Sequence, residues 1–190
     1  MAPRIRRSPA EARRLILEAA ERLLAAGGVN AVQVRAVAAR VGVTDAAVNH
    51  HFGSRDQLLT ALLKHGGVRL KQRLEKVGGD DIEQIVGSLA AVYADGYAEL
   101  ALALHQSGWR DSGSGMLSSV VDALYERARA QADGQPDRRR IQLAVAALHQ
   151  GVALDPVVGA EFRRSADLQD ATSADTLDWW VQALTRMLDL

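Results

Sequence analysis

The sequence has no cysteine, four prolines, and aromatic residues that make up 4% of its 190 positions. The missing cysteine excludes disulfides and thiolate catalysis and fits a reducing, cytoplasmic setting. No basic-then-apolar segment opens the chain, and no apolar run looks long enough to span a bilayer, so no membrane partner is expected. Clean period-two alternation is absent too, and no strand is predicted. What is present is alanine and leucine at helical spacing, in a chain that is 48% hydrophobic and able to bury a sizeable core. An all-α fold is the expectation.

A formal net charge of zero hides an uneven distribution. Residues 1–78 hold 14 Lys/Arg against 6 Asp/Glu, and residues 79–190 hold 9 against 17. A basic N-terminal part suits a polyanion, because neutralising phosphates releases counterions. By itself such a run is as readily a solvated face. It gains meaning only where it coincides with a motif.

The motif lies between Val34 and Leu59. Ser8-Pro9-Ala10-Glu11 reads as a capped helix start, and the pairs Leu15/Ile16, Ala19/Ala20 and Leu23/Leu24 form one apolar stripe. Gly27-Gly28 stops that helix. A second helix spans about Val34 to Val41 and buries Val37, Ala38 and Val41. Gly42 can take the left-handed turn conformation. Thr44 caps a third helix to about His51, with Asp45 favourably placed against its dipole and Val48 and Phe52 facing inward. Ser54-Arg55-Asp56-Gln57 caps a fourth helix that carries Leu58, Leu59, Leu62, Leu63 and Leu70 and ends at Gly78-Gly79. Helix, glycine-centred turn, helix is the arrangement that sets one exposed helix in a DNA major groove.

Further along, helices are expected over Asp81–Gln106, Met116–Gln131 and Pro136–Ala153. A short one is expected near Ala160–Arg164, and a final one over Ala174–Met187. The Ser112–Gly115 cluster and Asp133-Gly134-Gln135-Pro136 read as loops. The domains expected are a helix-turn-helix domain over 1–54 and a helical ligand-binding and dimerisation domain over 55–190, with helix 55–78 linking them.

The span from about Ile16 to Leu63 resembles the DNA-binding domain of TetR-type transcriptional regulators. The residues that carry the resemblance are Val34-Arg35, Val37-Ala38, Val41-Gly42-Val43-Thr44, Val48-Asn49-His50-His51-Phe52 and Ser54-Arg55-Asp56-Gln57-Leu58-Leu59. It implies that Asp45, Ala46 and Ala47 meet base edges and that Arg35 reaches a base from the preceding helix. An arginine at a guanine edge bonds in bidentate fashion, so Arg35 is the main specificity candidate. Thr44, Asn49, His50, His51 and Arg55 are the candidate phosphate contacts, which fix register rather than sequence. The family usually has tyrosine where this chain has Asn49. Arg4, Arg6 and Arg7 form a basic arm that either contacts DNA or is a plain tail.

The resemblance further implies a homodimer on a palindromic double-stranded DNA operator, with a small-molecule effector that releases DNA. Tyr93, Tyr97, Leu100, Leu104, His105 and Trp109, with Met116, Val120, Leu124 and Tyr125 from the next helix, are the candidate ligand-binding residues. An apolar wall with a few polar handles is what such sites look like, although an aromatic stripe at this spacing is more often plain core. Ala144, Ala147, Leu148, Leu177, Trp180, Val181, Leu184 and Met187 are the candidate dimer contacts, the alternative being that the tryptophans cap the chain's own core. An activator or a ligand-independent regulator on the same scaffold is the nearest other reading. A helical enzyme is not expected. No paired carboxylates or nucleophile with a base emerge, and the histidines have no partners at metal-ligand spacing, so no cofactor is expected.

Overall fold

The computed structural model describes residues 8–77, 81–111, 113, 115–131 and 135–187. Arg4, Arg6, Arg7, Gly78, Gly79, Ser112, Ser114, Asp133 and Gly134, read above from the sequence, lie outside them. Every regular element among the described residues is helical. In order they are α1 (Pro9–Ala31), α2 (Val34–Val41), α3 (Asp45–Phe52), α4 (Arg55–Val77), α5 (Ile82–Val92), α6 (Ala98–Gln106), α7 (Ser118–Gln131), α8 (Arg138–Leu154), α9 (Ala160–Ser165) and α10 (Ser173–Met187). π-helical turns over Tyr93–Tyr97 and Asp155–Gly159 connect α5 to α6 and α8 to α9.

The chain divides into two compact units. One runs up to His65 and includes Asp95–Arg110; the other holds Gly66–Ala94 and the chain from Asp111 onward. The division therefore falls inside α4 rather than at residue 54. Leu58, Leu59 and Leu62 at the start of α4 are buried, and Arg55 is tied to the end of α1.

In the first unit, Ser8 Oγ accepts the Glu11 N–H at 3.2 Å and Pro9 opens the first turn of α1. The helix buries Ile16, Leu17, Ala19, Ala20 and Leu24. Its backbone leaves helical geometry at Gly27 and Gly28, as the glycine pair predicts, and one further turn reaches Ala31. α6 packs on α1, with the Tyr97 hydroxyl donating to Glu21 Oε1 at 3.0 Å. The pattern over Asp81–Gln106 predicts one helix, but Gly96 breaks it at φ +91°. A Cβ on Gly96 would lie 3.1 Å from the Leu24 carbonyl oxygen, so the bend lets the backbone close on α1.

The second unit is layered around α5, which packs against α8 and α10, while α7 packs on α8. Leu70 and Leu74 of α4 join Ile85, Leu89, Val120, Leu124, Ile141, Val145, Leu148 and Leu184 in one apolar cluster. Each such side chain withdrawn from water contributes roughly 1.5–3 kcal/mol. α8 begins at Arg138 rather than Pro136, because Asp137 is its cap: Oδ1 accepts from Arg139 N–H at 2.9 Å and Arg140 N–H at 3.3 Å. The expected stop before Asp155-Pro156 is replaced by the π-helical turn, which accommodates the proline and continues into α9. There Asp155 and Arg163, with side chains only 11% and 14% exposed, form an ion pair.

Two helical stretches, Ile82–Gln106 and Arg138–Ser165, turn out long and apolar enough by composition to cross a bilayer, contrary to the sequence expectation. Their apolar side chains Ile85, Leu89, Leu100, Val145 and Leu148 are buried in the protein itself.

Candidate nucleic-acid interface

α3 is held in place by its two ends and its inner face. Gly42, at φ +75° and ψ +38°, ends α2, and the Gly42 and Val43 N–H groups both bond to the Ala38 carbonyl, at 2.9 and 3.0 Å. The chain reverses there and Thr44 starts α3, its Oγ1 accepting the Ala47 N–H at 3.2 Å. Val48 and Phe52 point inward, with 0% and 7% of their surfaces exposed. At the far end Arg13 of α1 donates to the His51 carbonyl at 2.7 Å, and its guanidinium lies 4.2 Å from the Phe52 ring centroid. This double contact ties the last turn of α3 to α1, combining a charge-assisted hydrogen bond with a cation–π contact.

With its inner face so occupied, α3 leaves Thr44, Asp45, Ala46, Asn49 and His50 exposed. Ala47 is half-buried. Arg35 is exposed on the first turn of α2, the helix packed against α3. The structure thus brings Arg35 and the α3 residues together in one two-helix element. His51 is half-buried, its ring between those of His50 and Phe52 at 5.6 and 6.5 Å.

Arg55 requires a correction. Its Nε and Nη2 donate to the carbonyls of Val32 and Val29, at 2.8 and 2.7 Å, and it is part-buried. Val29 lies in the last turn of α1, where its carbonyl also accepts the Val32 N–H at 3.2 Å, and Val32 is the residue that caps the helix. Arg55 is a C-terminal clamp for α1, and two of its donors are committed inside the protein. Sequence reasoning also missed Arg13. Neither arginine has a local signature, since their partners lie 23 to 38 residues away.

The ten residues read as a ligand site are divided between the two units. Tyr97, Leu100, Leu104, His105 and Trp109 belong to the first unit, and Tyr93, Met116, Val120, Leu124 and Tyr125 to the second, because the Gly96 bend divides the helix that carried them. Tyr97, Leu100, Leu104, Val120 and Leu124 are buried, His105 is exposed, and Trp109 is half-buried. The Tyr125 hydroxyl donates to Gln135 Oε1 at 3.1 Å. A polar pair does occur in the second unit, between Tyr93 and a residue that spacing alone had left without a role. The Tyr93 hydroxyl and His149 Nε2 are 2.5 Å apart. Burial pushes the Tyr93 hydroxyl up to about 12. It also holds the His149 ring below the usual imidazole value, against the opposing pull of Asp111. The two groups share one hydrogen bond, whose direction follows the His149 tautomer.

The candidate dimer residues also need correction. Ala144, Leu148 and Leu184 are 5%, 0% and 1% exposed within a single chain. Leu177, Trp180, Val181 and Met187 pack half-buried on the same core, and the Trp180 indole lies on Gly151, 3.1 Å from where a Cβ would stand. Only Ala147 of that set is exposed. The exposed apolar side chains of α8 and α10 are instead Leu143 at 60%, Leu154 at 38% and Trp179 at 55%.

Comparison with known proteins bears on the first unit most directly. The family described as bacterial regulatory proteins, tetR family, matches residues 16–62. An HTH-type transcriptional repressor of Mycobacterium tuberculosis and an HTH-type transcriptional regulator of Mycobacterium bovis are each 39% identical over 87 residues, which is 43% of this chain and 46% of theirs. The chain thus spans about half the length of the curated relatives it matches. Among solved structures, a candidate transcriptional regulator from Rhodococcus sp. RHA1 aligns over 94% of this chain and 95% of its own with TM-score 0.62 at 18% identity. A protein solved in work on the control of antibiotic production by bacterial hormones aligns over 86% and 96% with TM-score 0.59 at 23% identity. These two likenesses establish the fold over nearly the whole chain. Residues 16–62, which hold the α2–α3 element, are thus similar to the tetR family of bacterial regulatory proteins.

Proposed function

We propose that the protein is a homodimeric, ligand-responsive transcriptional repressor that binds a palindromic operator. The observation that carries the DNA-binding part is the α2–α3 element: a helix capped at Thr44, buried through Val48 and Phe52, with Asp45, Ala46, Asn49 and His50 turned to solvent beside Arg35. In this reading Arg35 reads a base, Ala46 and Ala47 make apolar contacts to base edges, and Thr44, Asn49, His50 and His51 meet phosphates. Asp45 serves chiefly the helix start. Arg55 acts from inside. One short helix covers few base pairs, so a two-fold pair of subunits is needed for a specific site. No catalytic role is part of this reading.

The effector-responsive part rests on the Tyr93–His149 pair. A half-buried hydroxyl–imidazole pair against an apolar cluster offers one donor and one acceptor to a small molecule with an apolar body and a polar end. A molecule that binds better to one arrangement of the dimer shifts the population toward it.

The test begins with capture of genomic DNA fragments on the purified protein. An enriched palindrome is expected. Arg35→Ala, measured against that palindrome and a scrambled duplex at fixed salt, should lose about tenfold or more on the palindrome and much less on the scrambled DNA, as expected for loss of a bidentate base contact. Equal loss on both would remove Arg35 from base reading, and recovery of no enriched sequence would overturn the repressor reading itself.

A further inference from the structure

Arg13 and Arg14 are neighbours on α1 with separate partners. Arg14 Nη1 donates along its own helix to Glu18 Oε1 at 2.5 Å. Arg13 turns to α3, where Nη1 donates to the His51 carbonyl at 2.7 Å and the guanidinium covers the Phe52 ring at 4.2 Å. One contact holds the backbone of the last turn of α3 and the other holds a side chain. That turn has little else to hold it. α3 has eight residues and is about 12 Å long. The Gly53 N–H closes on the Asn49 carbonyl at 2.7 Å, and at Gly53, with φ +83°, the backbone leaves helical geometry. The His51 carbonyl, two residues beyond that of Asn49, takes its bond from α1 instead. A cation there also meets the negative pole of the helix dipole. The other end of α3 is fixed independently, by the Gly42 turn and by Thr44 Oγ1 on the Ala47 N–H. α1 is a firm base for the tie, capped at Ser8 and anchored by buried Ile16, Leu17, Ala19, Ala20 and Leu24.

We propose that Arg13 is a positioning residue for DNA reading, setting the angle at which α3 meets the base pairs. The proposal rests on the DNA-binding reading above and adds what holds the reading helix at one pitch. With Thr44 as the pivot, movement of the far end carries Asn49 and His50 nearly as far as the end itself, and Ala46 much less. The phosphate contacts assigned to Asn49, His50 and His51 fix the register in which Arg35, Ala46 and Ala47 meet base edges. An operator demands that register, and a tilted α3 cannot satisfy its phosphates and its bases together. Scrambled DNA demands no register, so the same tilt costs little there. Arg13 thereby widens the gap between specific and non-specific affinity without touching a base. A direct phosphate contact would behave otherwise. It would add equally to both affinities and steepen their salt dependence by about one counterion.

Three variants of the full chain test this. Arg13→Met keeps a hydrocarbon stem over Phe52 and loses the donor and the charge. Arg13→Lys keeps a cation with a donor. Arg55→Ala removes a different carbonyl clamp and leaves the Arg13 tie in place. Affinities for the enriched palindrome and for a scrambled duplex are measured across a salt series. Arg13→Met should lose about tenfold or more on the palindrome and less than about threefold on scrambled DNA, with its salt slope unchanged. Arg13→Lys should recover part of that loss. Equal loss on both DNAs, with a slope smaller by about one, would make Arg13 a phosphate contact and overturn the positioning role. A palindrome-to-scrambled ratio that falls as far in Arg55→Ala as in Arg13→Met would reduce the effect to general stability and overturn it too. A second readout needs no DNA. Amide hydrogen exchange in Arg13→Met should be about tenfold or more faster at Gly53, and within about threefold of wild type at Ala47 beside Thr44. Unchanged exchange at Gly53 would overturn the proposal whatever the DNA result. Recovery of no palindrome would overturn the repressor reading, and the exchange rates would still decide whether Arg13 holds α3.

Discussion

Arginines do two different jobs in the first unit, and residue type alone does not separate them. Arg35 is exposed on α2 with its guanidinium toward solvent. Arg13, exposed on α1, and part-buried Arg55 instead donate to helix-end carbonyls. A charge-assisted hydrogen bond to a helix-end carbonyl contributes more than a neutral one. Arg55→Ala is therefore expected to lower unfolding stability by about 1–3 kcal/mol, read as a shift of the denaturant midpoint. Arg55→Lys should recover only part of it, because one ammonium cannot reproduce a planar fork on two carbonyls. Any loss of DNA affinity in Arg55→Ala should be equal on specific and scrambled DNA. The distinction from Arg35 was invisible in the sequence, because the carbonyls that claim Arg55 belong to Val29 and Val32 on another helix.

At the scale of elements, the local signals read well and the long ones read less well. The Gly42 turn and the caps at Thr44, Ser54 and Ser8 each depend on residues within about one turn, and they stand where their chemistry puts them. The break at Gly96 lies inside an apolar pattern that a helix satisfies, and only the approach to Leu24 reveals why the backbone departs from it. Pro156 looked like a stop because an ordinary helix loses a hydrogen bond there; the π-helical turn absorbs the proline and the chain continues. The candidate dimer residues were misplaced for a related reason. Ala144, Leu148 and Leu184 are apolar at the right spacing, but one helix presents two apolar stripes, and the cluster around α5 claims the larger. Gly96→Ala should cost about 1–3 kcal/mol, since it demands a left-handed conformation and displaces Leu24. Gly87→Ala, with φ in the ordinary range and open space around the added Cβ, should instead stabilise by about 0.5–1 kcal/mol. Thermal unfolding of the pair checks both signs.

Across the whole molecule, the all-helical class and the DNA-binding end were legible because both are written in repeated, local patterns. The partition into units was not. It depends on α6 folding back onto α1, and no run of sequence near α6 announces that contact. The same holds for the Tyr93–His149 pair, whose members are 56 residues apart and carry no shared motif.

The exposed side of α10 gives the proposed homodimer a built-in optical probe. The sequence has three tryptophans. Trp109 is half-buried in the first unit, while Trp179 and Trp180 sit edge to face with ring centroids 5.0 Å apart. Trp180 is pinned on Gly151, and Trp179 is 55% exposed. Covering Trp179 moves one indole from water to an apolar setting, so emission should shift to the blue as the protein is concentrated. Trp179→Phe should abolish the shift and Trp109→Phe should leave it. The coupled indoles should also give a paired circular-dichroism signal that disappears when either ring of the pair is removed. Self-association can then be followed in unlabelled protein by the light of one side chain.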